Sequence, residues 1–324
     1  MSKWLVTGGA GYIGAHVVKN LLENNFEVSV VDDLSTGLER KIPNQVKLFK
    51  IDLANTIELA NILKSENIEG VIHLAAKKAV GESMLNPSLY YKENIGGLIS
   101  LLEAMSIANV KKIVYSSSAA VYGTPKEDRV LEESVTNPES PYGETKLVGE
   151  WLLKADEKAR NVKWISLRYF NVVGAGNDEL GDTGVNNLIP MVFSAITKNE
   201  RPQIFGNDYP TKDGTCIRDY IHVEDLAFAH VLAAKKLTNE YCEILNIGTG
   251  LGYSVKEVMD LIEKVIGKKI NYEYVARRPG DPAQTIADPS KAFKDLNWKA
   301  KFDLEQMIFS SWNAWQKHNP INEK

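Results

Sequence analysis

Thr7-Gly8-Gly9-Ala10-Gly11-Tyr12-Ile13-Gly14 decides how this chain is read. The stretch follows a short β-branched run at residues 3–7. It opens a helix-period segment in which His16, Val17, Asn20, Leu21 and Leu22 fit one helix laid over a sheet. Glycines at 8, 11 and 14 permit a tight strand-to-helix turn and let backbone N–H groups at the helix N-terminus approach a pyrophosphate with no Cβ in the way. Alone the motif is only suggestive, because three glycines can make a turn and nothing more. Asp32 and Asp33 change the balance. They close the next strand, 18 and 19 positions after Gly14, where a carboxylate can accept hydrogen bonds from adenosine ribose hydroxyls and repel a 2′-phosphate. The unit therefore points to NAD rather than NADP. Its cofactor-binding candidates are Gly8, Gly11, Tyr12, Ile13, Gly14, Asp32 and Asp33, with Asp52 and Leu53 after the third strand as weaker candidates for the adenine edge.

Outward from this unit, β-branched runs at 47–51, 70–74, 112–116 and 164–168 alternate with helix-period stretches, the pattern of βαβ units. The expected fold class is α/β: a Rossmann-type doubly wound parallel sheet with a smaller α/β substrate-binding domain. After Asn171 the texture turns to Gly, Asn and Asp across residues 174–187. A strand at 218–223, a helix at 225–236 and a strand at 243–247 predict that the first domain then regains the chain. The expected division is 1–172 plus 217–249 for NAD and 173–216 plus 250–324 for the substrate. Helices at 255–266 and 304–317 and a loop at 277–282 complete the second part.

The 324 residues carry a formal charge of −4 and are 44% hydrophobic, enough for a large core. Basic residues occur as scattered pairs, Lys77-Lys78, Lys111-Lys112, Lys235-Lys236 and Arg277-Arg278. That distribution argues against phosphate-driven nucleic-acid binding. Two cysteines, Cys216 and Cys242, form neither a disulfide framework nor a C-x-x-C metal motif, so no metal site is expected and a reducing, cytoplasmic setting is. No signal peptide or membrane-spanning stretch is legible.

Tyr142-Gly143-Glu144-Thr145-Lys146 sets Tyr and Lys four apart, which on a helix puts both on one face. Ser116-Ser117-Ser118 ends the fifth strand, at the edge where open α/β sheets bind ligands. With the glycine loop, these residues make the chain resemble the short-chain dehydrogenase/reductase superfamily, in the extended branch that acts on nucleotide sugars. A free tyrosine has a pKa of about 10, so a base working near neutrality needs a downward shift of roughly 3 units. The Lys146 ammonium and a positive nicotinamide ring could supply it. Lys146 could also hold the nicotinamide ribose, and Ser118 could position the reacting hydroxyl beside Tyr142.

Four further stretches resemble the UDP-glucose 4-epimerases of that branch: Ala79-Val80-Gly81-Glu82-Ser83, Arg168-Tyr169-Phe170-Asn171, residues 204–211 (IFGNDYPT) and residues 213–223 (DGTCIRDYIHV). The resemblance implies that Ser118, Tyr142, Asn171, Asn187, Leu188, Phe205, Arg218, Arg278 and Asp281 contact a UDP-hexose, with both arginines at the diphosphate. It further implies that Lys78 lies by the nicotinamide ribose and Phe170 by the nicotinamide amide. Tyr142 would take the proton of the sugar 4-OH as C4 hydride leaves for NAD; the 4-keto sugar would turn its other face and be reduced again, inverting C4. A homodimer fits the family. Where relatives often have Asn, this chain has Glu93 before Asn94, which leaves open which of the two reaches the cofactor. A 4,6-dehydratase would need an acid and a base beside the serine, but Ala119-Ala120 stand there. A non-catalytic NAD-binding relative is the rival of another class. The resemblance also puts Thr285 near the sugar 2-substituent, where a small side chain would admit an N-acetyl group; a pentose is a further alternative. His222, between apolar neighbours, reads as structural.

Overall fold

The computed structural model describes residues 2–237, 241–278 and 280–319. The first unit is β1 (Lys3–Thr7), α1 (Tyr12–Glu23) and β2 (Glu27–Val31), followed by β3 (Lys47–Phe49), α2 (Thr56–Ser65) and β4 (Gly70–His73). Short helices α3 (Val80–Leu85) and α4 (Pro87–Tyr90) lead into α5 (Gly97–Ala108); then come β5 (Lys112–Ser118), α6 (Pro141–Arg160) and β6 (Lys163–Tyr169). Next are β7 (Asn171–Val173), α7 (Leu188–Thr197), β8 (Gln203–Phe205), β9 (Ile217–His222), α8 (Val223–Lys236) and β10 (Glu243–Ile247). The chain continues with β11 (Gly252–Ser254), α9 (Val255–Ile266), β12 (Glu273–Val275), β13 (Gln284–Thr285), α10 (Ser290–Leu296) and α11 (Leu304–His318).

Seven parallel strands form the main sheet in the order β10-β6-β5-β4-β1-β2-β3. Its strands are apolar on both faces because helices cover both. Trp4, Val6, Val30, Ile72, Val114 and Ile165 face α1 and α8, whereas Leu5, Val31, Val71, Ile113, Tyr115 and Trp164 face α2, α5 and α6. The period of two within each strand sorts the two sets. From β1 the chain winds outward through β2 and β3, then returns to β4 on the other side. The crevice between the carboxyl ends of β1 and β4 is the place where such sheets bind ligands.

A second layer is built from β11-β9-β13 with β7 on β9, and from the pair β12-β8. Helices α7, α9 and α11 enclose its core, where Phe193 meets Trp312 edge-on at 5.0 Å. Capping boxes start two of these helices, Ser254 with Glu257 and Asp303 with Gln306.

One expectation is corrected. The strand read at 218–223 was assigned to the first domain, but β9 pairs with β7, β11 and β13 and not with the main sheet. Only the following helix, α8, packs on the main sheet. The physical reason is that β9 is buried on both faces although Arg218, Asp219 and His222 stand in it: Ile221 belongs to the main-sheet core and Tyr220 to the second core. An apolar residue on each face could not say which sheet it joins. The edges also move: β3 stops at Phe49, while β5 and β6 run on to Ser118 and Tyr169.

Burial holds four imidazoles below their ordinary value, His16, His222 and His230 at about 4 and His73 at about 3. As pH falls below about 6.5 the unfolded chain takes up these protons and the folded chain does not, so stability is lost down to about pH 4. Asp219, raised by burial to about 6, binds its proton earlier when folded and opposes the trend. Each imidazole contributes at most about 1.4 kcal/mol per pH unit across that window. Calorimetric Tm should therefore drop sharply between pH 6.5 and 4.5; a flat Tm would mean that these imidazoles titrate freely in the native state.

Candidate active site

The three glycines of the first turn have different physical reasons. Gly8 lies at φ +71°, and a Cβ there would sit 2.7 Å from Ala75 N; a Cβ on Gly14 would sit 2.1 Å from Gly8 O. Both are required by the chain's packing on itself. A Cβ on Gly11 would meet only Gly8 O, at 3.3 Å. Beyond Gly11 lies the open N-terminus of α1, with no capping side chain and no acid in its first turn. Those amide N–H groups and the positive end of the helix are available to an anion. The cradle fits a dinucleotide pyrophosphate.

The side chains of Tyr12 and Ile13 serve the fold. Tyr12 donates to Gly174 O at 2.5 Å, and Ile13 packs on the core between α1 and the sheet; only their backbone faces the cradle. Asp32 is buried at the end of β2, its two oxygens accepting from Ala10 N and Leu34 N at 2.9 Å, and burial pushes its pKa up. Each oxygen keeps capacity for one more donor. Asp33 is exposed and turns back to Ser35. Asp52 is exposed and accepts from Ala54 N, while Leu53 packs into the core beneath α5. Lys78 is exposed, its ammonium 5.9 Å from the Tyr12 ring centre.

Asn94 and Glu93 separate clearly. Asn94 is buried; its Oδ1 accepts from Lys77 N at 2.7 Å, and its Nδ2 donates to Lys77 O and to Thr145 Oγ1, both at 3.0 Å. It thereby clamps the loop after β4 to α6. Glu93 lies toward Lys92 at 3.9 Å. Both belong to a π-helical turn, Tyr91–Gly96, that no sequence spacing announced; such turns recur at functional sites.

The reactive side chains come from β5 and α6. Ser140 caps α6 by accepting from Gly143 N, and Pro141 opens it. Tyr142 and Lys146 follow one turn apart. Burial raises the pKa of Tyr142 above its ordinary value and a hydrogen bond with Ser118 opposes that rise. Lys146 donates from Nζ to Ser116 O at 2.7 Å and to Ser116 Oγ at 3.1 Å, with the Tyr142 ring centre 6.0 Å away. No carboxylate pairs with it, and burial lowers it to about 7. A lysine poised at neutrality beside a hydroxyl is an arrangement for moving protons.

On the other side of the site, Arg218 and Asp281 are joined to each other: Nη2 donates to Asp281 Oδ1 at 2.7 Å. Asp219 is occupied elsewhere, accepting from Thr249 N, Thr249 Oγ1, Gly250 N and Ala287 N. The Arg278 guanidinium stacks 3.8 Å from the centre of the Phe205 ring. Thr285 pairs in register with Arg218, and its buried Oγ1 has no hydrogen-bond partner. Asn171 and Asn187 are exposed, Asn187 at the start of α7 without capping it, and Leu188 packs on the second core. Phe170 is buried with Val121, Tyr122, Val130, Leu147 and Ala287. His222 has the structural role expected of it, accepting from Glu224 N at 3.0 Å and stacking on Phe302.

The sequence reading passed over Glu150, whose carboxylate forms a buried ion pair with Arg168 at 2.7 Å and accepts from Ser117 Oγ at 2.6 Å. The signal was present: Glu150 is four residues beyond Lys146 and eight beyond Tyr142, on the same face of α6. Among the described residues no group of His, Cys, Asp or Glu could hold a metal ion, and no helix is long and apolar enough to cross a membrane.

Comparison with known proteins matches residues 4–248 to the NAD dependent epimerase/dehydratase family. The chain is 45% identical over 332 residues to UDP-glucose 4-epimerase of Bacillus subtilis, covering 97% of each. It superposes on UDP-glucose 4-epimerase from Bifidobacterium longum, solved with NAD+ and UDP, with a TM-score of 0.92 and 41% identity over 98% of this chain and 99% of that one. The UDP-Glc/GlcNAc 4-epimerase of Campylobacter jejuni superposes with a TM-score of 0.86 and 37% identity, over 98% of this chain and 100% of that one.

The glycine geometry makes a prediction. Gly14→Ala should destabilise the protein by about 1–3 kcal/mol, because its Cβ meets backbone. Gly11→Ala should leave the Tm of the cofactor-free protein unchanged while weakening NAD retention by about tenfold or more, read as nucleotide released per chain. Equal losses of Tm in the two variants would contradict the assignment of Gly11 to the ligand.

Proposed function

The chain belongs to the NAD dependent epimerase/dehydratase family, and on that premise we propose that it interconverts UDP-galactose and UDP-glucose by inverting C4 through a transient 4-keto sugar, with NAD as resident cofactor. The observation that carries this reading is the meeting of Ser118, Tyr142 and a carboxylate-free Lys146 at the carboxyl edge of β5, beside the glycine turn. The relatives named as UDP-glucose 4-epimerases support it over nearly the whole chain.

Bound NAD supplies a hydride acceptor and donor at C4, and a positive charge near the phenol. Gly11 would admit its pyrophosphate to the end of α1, with Gly8 and Gly14 holding the turn that presents it, and Asp32 and Asp33 would meet the adenosine ribose. Asp52 and Leu53 border the adenine, with Lys78 and Lys146 at the nicotinamide ribose and Phe170 at the amide. Ser118 holds the sugar 4-OH and Tyr142 takes its proton. Lys146 stabilises the phenolate across the short span that separates them. Arg218 and Arg278 hold the diphosphate while the pyranose turns, with Asp281 orienting Arg218, Phe205 carrying Arg278, and Asn171, Asn187 and Leu188 completing the pocket. Once the pyranose has turned, Tyr142 returns the proton to O4 as the hydride that left C4 is given back to its opposite face, so C4 is inverted with no net oxidation. The Ala119-Ala120 turn offers no acid or base for elimination, and the intact Ser118, Tyr142 and Lys146 disfavour a purely binding role.

We place the protein in a reducing cytoplasm, consistent with two unpaired cysteines, and as a homodimer, consistent with exposed Tyr91, Ile99 and Trp151 on neighbouring helices. A second substrate class, a UDP-N-acetylhexosamine, is supported by the small side chain of Thr285 in register with Arg218 and by its hydroxyl, which has no partner in the chain.

Purified protein given UDP-galactose without added NAD should form UDP-glucose, and Tyr142→Phe should reduce kcat by about 100-fold or more. No conversion even with NAD supplied would overturn the reading. Thr285→Tyr should suppress turnover of UDP-N-acetylgalactosamine at least tenfold more than that of UDP-galactose; equal loss on both would remove Thr285 from the sugar pocket.

A further inference from the structure

A second buried lysine crosses between the layers beside the glycine turn. Lys41 is 5% exposed, and its Nζ donates to Gly181 O at 2.7 Å. The acids near it are spent elsewhere: Glu39, on the same turn, pairs with Lys50 at 2.7 Å, and Asp182 accepts from Gly184 N at 3.0 Å. A buried ammonium with a carbonyl for its partner is costly, and an apolar side chain of the same length would fill the space without that cost. Stability of the fold is therefore a poor reason for a lysine here. What the ammonium reaches is the better guide.

The contact joins the walls of two ligand sites. On one side is the segment 34–41, which leaves β2 and folds back over the glycine turn. Leu34 N donates to Asp32 Oδ1 and Leu38 N to Ala10 O, both at 2.9 Å. Gly37 backs onto both anchors: a Cβ there would sit 2.8 Å from Asp32 Oδ1 and 2.9 Å from the Ala10 Cβ. Leu34 is held at φ +58°, a left-handed conformation that a leucine keeps only where its surroundings impose it. Before the short 3-10 turn Glu39–Lys41 the segment has no helix or strand of its own, so these contacts set its position. With NAD on Asp32 and the glycine turn, it is one wall of the adenosine site. On the other side, Gly181 is pressed against α11, where a Cβ would sit 2.6 Å from the Ala314 Cβ. From Gly181 the chain runs on to Asn187 and Leu188. Tyr12 also crosses to this loop, at Gly174 O, but it does so from α1; Lys41 crosses from the adenosine wall.

We propose that Lys41 is a positioning residue that couples the two ligand sites: it bridges the adenosine wall to the segment carrying Asn187 and Leu188, so that UDP bound there holds the wall in place and retains NAD. The proposal rests on the assignment, made above, of Asp32 to NAD and of Asn187 and Leu188 to the UDP-sugar. Coupling of this kind is reciprocal, so NAD raises the affinity for UDP by the factor by which UDP raises that for NAD.

The test follows the holoenzyme as its bound NAD exchanges into an excess of isotopically labelled NAD, with and without saturating UDP, by mass spectrometry of the nucleotide retained. UDP should slow exchange from the wild type by about tenfold or more. In Lys41→Met, which keeps the length of the side chain but not its donor, the slowing should fall below about threefold. Gly181→Ala, whose Cβ would push the acceptor off α11, should lose it likewise, and it stands in if Lys41→Met does not fold. The ratio of the two rates is what a merely structural tie would leave alone. Slowing that survives in Lys41→Met overturns the proposal, even if exchange is faster throughout, and so does a wild-type protein whose exchange UDP leaves unchanged. Calorimetric UDP binding and turnover of UDP-galactose are read on the same samples. A chain that binds no UDP contradicts the proposed function along with the coupling. One that shows the coupling but turns over no UDP-galactose loses the epimerase reading and keeps the bridge.

Discussion

An ammonium buried without a carboxylate is the constraint around which this site is arranged. Desolvation that brings Lys146 from its ordinary value to about 7 corresponds to a penalty on the order of 5 kcal/mol for the charged form. A partner acid would remove that penalty and would also neutralise the charge a phenolate needs. The acid nearest in sequence on the same face, Glu150, is withheld by Arg168, Ser117 and Ser166. The buried ion pair is thus less a source of net stability than a means of keeping a carboxylate from Lys146 while fixing α6 to β5 and β6.

The second layer is bound to this arrangement through the turn after β7. Tyr12 donates to Gly174 O, Gly176 N donates to His16 Nε2, and Gly174 N and Ala175 N donate to Ser311 and Ser310 of α11. A Cβ on Gly174 would sit 2.4 Å from the His222 ring, so helix, turn and strand fit with no slack. The helix whose N-terminus faces the pyrophosphate cradle is therefore fastened to the layer carrying Arg218 and Thr285. Sugar and cofactor sites are held in one frame although their residues lie far apart in sequence.

What the sequence disclosed followed physical range. The β1-turn-α1-β2 unit was legible because every reason for it is local: glycines, a helical period, two aspartates at a strand end. The partnership of Arg218 with Asp281 was not, since 63 residues separate them and either could have met solvent. Neither was the sheet membership of β9, which sends Ile221 into one core and Tyr220 into the other. Asn94 could not be told from Glu93, because the π turn that buries one and leaves the other half-buried beside Lys92 depends on packing against Thr145 and Lys77. Tyr169 and His230 gave no signal, since their pairing joins a strand end to a helix 61 residues further on.

The three serines at the end of β5 condense the physics of the site. The pleat turns Ser117 toward α6, where it meets Glu150, and turns Ser116 to the other face. Lys146, long enough to pass the strand end, still reaches Ser116, and Ser118 at the last position meets Tyr142. Residues four apart on one helix face are thus served by three consecutive residues of one strand, each with a different task. A hydroxyl suits all three because it donates to the carboxylate at Ser117 and accepts from the ammonium at Ser116. A run of identical residues that reads as low information in the sequence is, at a strand end under a helix, three separate determinants of where protons sit.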